Sequence, residues 1–370
     1  MASKPVNKSI DYSISLRETN IFKGVAICGM LMWHVFYCSN QFGIEFTPFV
    51  RFAGAIGDFC VSAFLLVSGY GLTILFESDQ RKNGLSFVIH RLLKLYSNFW
   101  FVFFLVVLFG TFVMKMPINS DGSILHQLKQ YLLEILAIRG QASYNDSWWF
   151  YSLIVSLYLL FPILYWGLKK ALIPTMVFVF MAQSLSFKVI FQELVLYMPI
   201  FTVGMLWAMN KEKVTSLLSK VPYSNVALSF LLLLIPILGL AFIFNKGNLW
   251  SRAICEYGCI SVGLMIVILS FPRSEKNILT DTLQFLGRHS ANIYIVHLLF
   301  SKYWFPSFFY SLPSPWLIFM VLLLSSLLFS IAVEWLKEKS GYNIISSKAI
   351  VWVDSFLMKI DDKLSPCFSR

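Results

Sequence analysis

Apolar stretches long enough to span a bilayer recur along nearly the whole chain, separated by short polar breaks. A helix rises about 1.5 Å per residue, so a hydrocarbon layer of roughly 30 Å takes about 20 mainly apolar residues. By that measure the protein is expected to be all-α, with about ten transmembrane helices at 21–40, 50–76, 92–114, 148–167, 171–187, 190–209, 225–244, 252–271, 283–304 and 315–336. Only Ser186, Phe187, Lys188 and Val189 separate the fifth from the sixth. Residues 124–138 also carry apolar positions at helical spacing, but Lys129 and Glu134 interrupt them. That segment predicts an interfacial helix instead of a crossing.

Composition narrows the class. Of 370 residues, 58% are hydrophobic and 13% are charged, whereas an average soluble domain is roughly 25% charged. So little polar surface cannot cover a water-soluble globule, and so much apolar sequence does not stay disordered. A polytopic integral membrane protein is expected. The net charge of +11 then has a topological source. With the N-terminus inside, every Lys and Arg except Arg51, Lys115, Lys129, Arg139, Lys188, Lys246, Arg252 and Lys302 falls on the inner side. A bias of this strength puts both termini in the cytoplasm. It also removes the case for a nucleic-acid partner, which would need a basic face on a soluble domain.

The first apolar run lacks a small-x-small cleavage site and continues through Trp33, His34 and Phe36, so it is expected to be a retained helix. With no internal repeat or second domain visible, residues 1–340 are expected to form one membrane domain and 341–370 a short cytoplasmic tail. Cys28, Cys38, Cys60, Cys255 and Cys259 sit in apolar runs, as packing residues do, and Cys367 lies in the tail. With no CxxC, CxxH, HExxH or Walker-type loop, no metal site is expected.

Ionisable side chains within a span are costly in hydrocarbon and usually face the bundle interior. His34, Asp58 and His297 are the clearest. His34 lies eleven residues beyond Lys23, about 16 Å from the inner interface, and His297 nine beyond Arg288, about 13 Å in. Ser68 and Tyr70 fall at a similar depth, roughly 10–14 Å from Glu77, while Asp58 sits about 28 Å away near the outer rim. Eleven residues at about 100° each return close to the starting direction, which puts Lys23 and His34 on one helix face. A lone intramembrane histidine serves either as a structural hydrogen-bonding group or in chemistry. Arg91 and Lys94 place two cations one turn apart, suited to a polyanion or to anchoring at the inner surface. Asn145-Asp146-Ser147 either binds a sugar hydroxyl or caps the helix that follows, and Trp148 and Trp149 fit an aromatic belt.

Five pieces, in order, resemble the membrane-bound acyltransferase-3 family of bacterial carbohydrate O-acetyltransferases. They are Lys23 and His34 at the family's basic-x10-His spacing, Phe64-Leu65-Leu66-Val67-Ser68-Gly69-Tyr70 against FFxLSGY, and Arg91…Lys94 against RxxR. The others are Trp149-Phe150 with Tyr158 and Pro162, and Leu286-Gly287, Ser290, Ile293-Tyr294 and His297. Lys94 departs from the commoner Arg. The likeness covers about Arg17 to Leu336. It implies a multi-pass protein of the bacterial inner membrane that takes an acetyl group from cytoplasmic acetyl-CoA. The acceptor it implies is a carbohydrate or lipid-linked glycan. It implies that Lys23, Arg91 and Lys94 hold the donor's nucleotide end and that His34 is the general base. Tyr70, Ser68 or His297 would orient that base or bind the oxyanion. The rivals are a polysaccharide-precursor transporter with a histidine proton path and a noncatalytic scaffold of an envelope machine.

Overall fold

A computed structural model describes residues 13–38, 44–79, 84–118, 123–138, 144–184, 192–219, 258–270 and 277–368. The expected span 225–244, Cys255 and the Cys367 side chain lie outside them. The described residues form helices and no strand. In chain order these are α1 (Leu16–Met32), α2 (Pro48–Ile56), α3 (Cys60–Ser78), α4 (Gly84–Phe112), α5 (Ile124–Ile135), α6 (Trp149–Lys170) and α7 (Leu172–Ser184). There follow α8 (Gln192–Met209), α9 (Lys211–Leu218), α10 (Cys259–Ser270), α11 (Ile278–Leu298), α12 (Pro306–Tyr310), α13 (Pro315–Lys339) and α14 (Tyr342–Phe368).

Five helical stretches among the described residues are long and apolar enough to cross a membrane: Leu16–Tyr37, Pro48–Ser78, Gly84–Phe112, Asp146–Lys170 and Pro315–Lys339. A sixth arises if α8 and α9, bent by 84°, count as one. The expected fifth and eighth spans correspond to the shorter helices α7 and α10, and 124–138 is a short amphipathic helix, α5. The expected ninth, 283–304, is helical throughout but too polar to be counted. Outward stripes such as Phe104, Leu108 and Phe112 on α4, or Leu324 and Leu328 on α13, remain exposed. In a membrane protein such faces meet acyl chains.

The described residues divide into two compact units. One lies within Met1–Met30, Ile56–Leu75 and Ile173–Arg288, the other within Leu31–Ala55, Phe76–Leu172 and His289–Arg370. Within the first, two helix crossings are close because glycine leaves room. A Cβ on Gly24 would run into the Leu283 carbonyl, and one on Gly287 into the Asn20 carbonyl. The same reciprocity joins α3 to α8, where Gly69 meets the Phe201 carbonyl and Gly204 the Leu66 carbonyl. Lipid tails are as apolar as leucine, so close van der Waals contact between small residues is a main source of association here. The glycines of the SGY and LG motifs thus act as packing positions.

The second unit packs α4 against α6 and α14. Phe76, Phe87, Phe161 and Tyr165 form one aromatic cluster, and Phe99, Phe103, Trp148 and Tyr151 another. The tail beyond 341 is a 27-residue helix held to α4 by His90 Nδ1 on Asp354 Oδ2 at 2.7 Å and by the Tyr342 hydroxyl on the Ser97 carbonyl at 2.8 Å.

Candidate functional site

Two histidines 263 residues apart in sequence meet in the second unit. His34 Nδ1 lies 3.3 Å from His297 Nε2, and the rings are tilted with centroids 4.7 Å apart. Both stand where an α-helix widens. His34 is the second residue of a π-helical turn, Trp33–Tyr37, that continues α1. His297 lies in the last turn of α11, just before the π-helical segment Leu299–Trp304. Such bulges re-aim side chains and are common at functional sites. The shared-face arithmetic for Lys23 and His34 applies only to ideal α-helix and therefore holds as far as Met32, after which the turn widens.

The hydrogen bonds set the tautomers. His297 Nδ1 is 2.8 Å from the Tyr294 carbonyl, which can only accept, so Nδ1 carries the proton. In the neutral ring Nε2 is then an acceptor, and His34 Nδ1 facing it must be the donor. The unshared pair of His34 consequently sits on Nε2. His297 is fully buried, while His34 is half-buried. Trp33 stacked on Tyr37 at 4.2 Å, and Phe36 edge-on to Trp316 at 4.9 Å, brace the turn that holds His34.

The remaining expected residues are placed as follows. Ser68 donates to the Phe64 carbonyl one turn back at 2.7 Å. Tyr70 is buried, and its hydroxyl accepts from the Ile14 amide at 3.2 Å. Lys23 is half-buried on α1. On α4 the Arg91 guanidinium lies 5.1 Å from the Phe87 ring centroid and Lys94 is exposed. Asp58 lies in the 3-10 turn Gly57–Phe59 between α2 and α3. Of the two readings of Asn145-Asp146-Ser147, the structure bears out capping. Asn145 Oδ1 accepts from the Ser147 amide at 3.0 Å and hydroxyl at 2.8 Å, while its Nδ2 donates to the Ile295 carbonyl at 2.8 Å.

A buried polar cluster went unnoticed in the sequence. Asn292 Nδ2 donates to Glu334 Oε1 at 2.8 Å and to Ser330 at 3.1 Å, Asn98 Nδ2 donates to Asn292 Oδ1 at 3.1 Å, and His289 Nδ1 lies 2.9 Å from Ser330. Lys337, almost fully buried, bonds Asn98 and Glu334. Its signal was the Glu334/Lys337 pair, three residues apart where the last span ends. On α5, Glu134 is buried and accepts from the Tyr144 amide at 2.8 Å. Burial pushes its carboxyl up from the ordinary 4.5 to about 7, against that hydrogen bond, which favours the charged form.

No curated protein and no solved structure matches this chain. The sequence profile of the acyltransferase-3 family, described as an acyltransferase domain, matches residues 16–335 and so takes in both histidines and every motif named above. This chain belongs to the acyltransferase-3 family of membrane acyltransferases.

Proposed function

We propose that the protein is an inner-membrane O-acyltransferase that moves an acetyl group from cytoplasmic acetyl-CoA to a hydroxyl of a cell-surface or exported carbohydrate. The proposal includes about ten spans, cytoplasmic termini, a membrane domain over 1–340 and a tail over 341–370. The His34–His297 contact carries it.

An alcohol attacks a thioester well only if its proton is taken as the bond forms, and a neutral imidazole is suited to that near pH 7. His34 Nε2 accepts the hydroxyl proton, and the alkoxide oxygen adds to the thioester carbonyl. Collapse of the tetrahedral intermediate breaks the C–S bond, and the proton passes from His34 to the departing thiolate. The products are the O-acetyl ester and free CoA, so no proton is gained or lost. His297 acts through His34, holding its Nδ1–H and steadying the imidazolium formed in the transition state, as the third member of a triad does. Lys23, Arg91 and Lys94 offer cations to the phosphates of the donor substrate, the first two being half-buried and therefore less screened. Tyr70 and Ser68 are the proposed donors to the developing oxyanion, Ser68 by turning its hydroxyl away from the Phe64 carbonyl that it bonds.

The test is transfer of labelled acetyl from acetyl-CoA to an envelope-glycan extract by purified protein in proteoliposomes, with His34→Ala at matched folding. Label in the glycan with the unchanged protein, lost in the variant, supports the reading. Label surviving in the variant removes His34 from the chemistry. No label with any donor, together with proton-coupled glycan uptake, turns the assignment to a transporter.

A further inference from the structure

We infer that the turn Asn145–Trp148 is a register clamp that positions His297 and, through it, sets the tautomer of His34. The inference deepens the proposed function and rests on it for its catalytic consequence. Its structural part stands alone.

An α-helical carbonyl is normally taken by the amide four residues on. After Leu298 the chain closes bonds five residues apart, as the Phe305 amide on the Phe300 carbonyl at 3.0 Å shows. The change in closure fixes where His297 points only if contacts from outside the helix hold the preceding turn in place. Ile295 stands in that preceding turn. Its carbonyl accepts Asn145 Nδ2 at 2.8 Å and Trp148 Nε1 at 3.0 Å, two donors from outside the helix. The two donors thereby hold Ile295, two residues before His297, at one place against the turn.

The turn grips the same segment at two more points. The Tyr294 hydroxyl donates to the Ser147 carbonyl, and Asp146 pairs with Lys302 inside the π-helical segment. The Tyr294 carbonyl also fixes the Nδ1 proton of His297. Asn145 is fully buried, and Ser147 holds its oxygen from both amide and hydroxyl, so its NH2 group has to face Ile295. A one-residue slip of α11 would turn His297 through about 100° and break its contact with His34. Asn145 and Trp148 are therefore positioning residues.

The decisive variants change single groups. Asn145→Asp keeps the acceptor for Ser147 but loses the N–H donor, and Trp148→Phe keeps the ring but loses the indole N–H. The full chain, with 15N-labelled imidazoles, is placed in lipid nanodiscs. Its five histidines are then assigned with His34→Gln and His297→Gln, and NMR reports which nitrogen of each ring bears the proton. The expected result is Nδ1–H on both His34 and His297, lost or averaged in Asn145→Asp and Trp148→Phe while the other three histidines stay unchanged. Turnover with acetyl-CoA and envelope-glycan extract should fall about a hundredfold, the lower end of a general base's contribution, with KM for acetyl-CoA moving less than about twofold. A proton on Nε2 of His297 in the unchanged protein overturns the clamp. So do folded variants with unaltered histidine signals and turnover. If the tautomers change as expected but no acetyl transfer occurs even in the unchanged protein, the clamp stands and the enzymatic proposal fails.

Discussion

Two helices near the end of the chain, α11 and α13, solve opposite problems. α13 exposes Leu324, Leu328 and Trp335 on its outer side, as a helix does when it borders lipid. The stretch from Asn292 on α11 to Leu299, the first residue of its π-helical continuation, is buried at every residue. Yet α11 and its π-helical continuation carry Asp281, Arg288, His289, His297 and Lys302 and do not qualify as a span by apolarity, while α13 qualifies easily. Apolarity therefore reports contact with lipid more than depth within the protein. A helix enclosed by protein can carry polar groups, because neighbouring side chains replace the hydrogen bonds that hydrocarbon cannot offer.

The largest test of this contrast is on the enclosed side. His297→Ala is expected to lower acetyl transfer by roughly a hundred- to ten-thousandfold, the range of a lost acid–base partner, in the proteoliposome assay with folded protein quantified separately. Full activity in the variant would reduce α11 to a structural helix. Next is Gly287→Leu, whose side chain has to displace the Asn20 backbone; about 3 kcal/mol of stability should be lost, seen as a lower thermal midpoint in detergent.

Glu134 provides a buried acid on neither helix. Its carboxyl is raised from 4.5 to about 7 in the folded protein, so folding binds a proton. The associated stability is complete below pH 4.5 and lost as pH rises through 7, amounting to at most about 3 kcal/mol. Glu134→Gln should flatten the dependence of thermal midpoint on pH across that window, and an unchanged slope would assign it to other groups. Glu334→Leu takes one hydrogen-bond partner from the buried Lys337 ammonium and should cost roughly 2 kcal/mol. Adding Lys337→Met to the same chain should recover most of it, because no unpaired charge remains. The smallest effect belongs to the lipid side. Leu328→Ala should change stability by less than about 0.5 kcal/mol, since lipid replaces the lost contacts. A large loss there would mean that another protein surface, not lipid, covers α13.

Much of the helical layout was legible because crossing a bilayer demands a length and an apolarity that can be counted. The start of α4 departed from expectation, at Gly84 instead of 92, because an amphipathic stretch extends the helix ahead of the apolar run. The Asn98–Asn292–Glu334–Lys337 cluster was missed for a related reason. Each residue looks like an ordinary polar residue until three helices bring them together. The SGY and LG motifs could be matched, but their glycines could not be read as close helix crossings without the partner carbonyls of Phe201 and Asn20.

The sequence by itself determined that this is a helical membrane protein, where most described helices run, and that His34 and His297 are ionisable groups lying deep within apolar runs. Composition, residue spacing and the cost of charge in hydrocarbon are all local properties that one dimension records. Only the tertiary structure decided that the two histidines touch, which nitrogen of each bears the proton, and that a turn at 145–148 holds one of them in place. Those outcomes depend on where two helices widen and on hydrogen bonds between distant segments. Helical periodicity sets each side chain's direction about its own axis, and only packing sets what lies opposite.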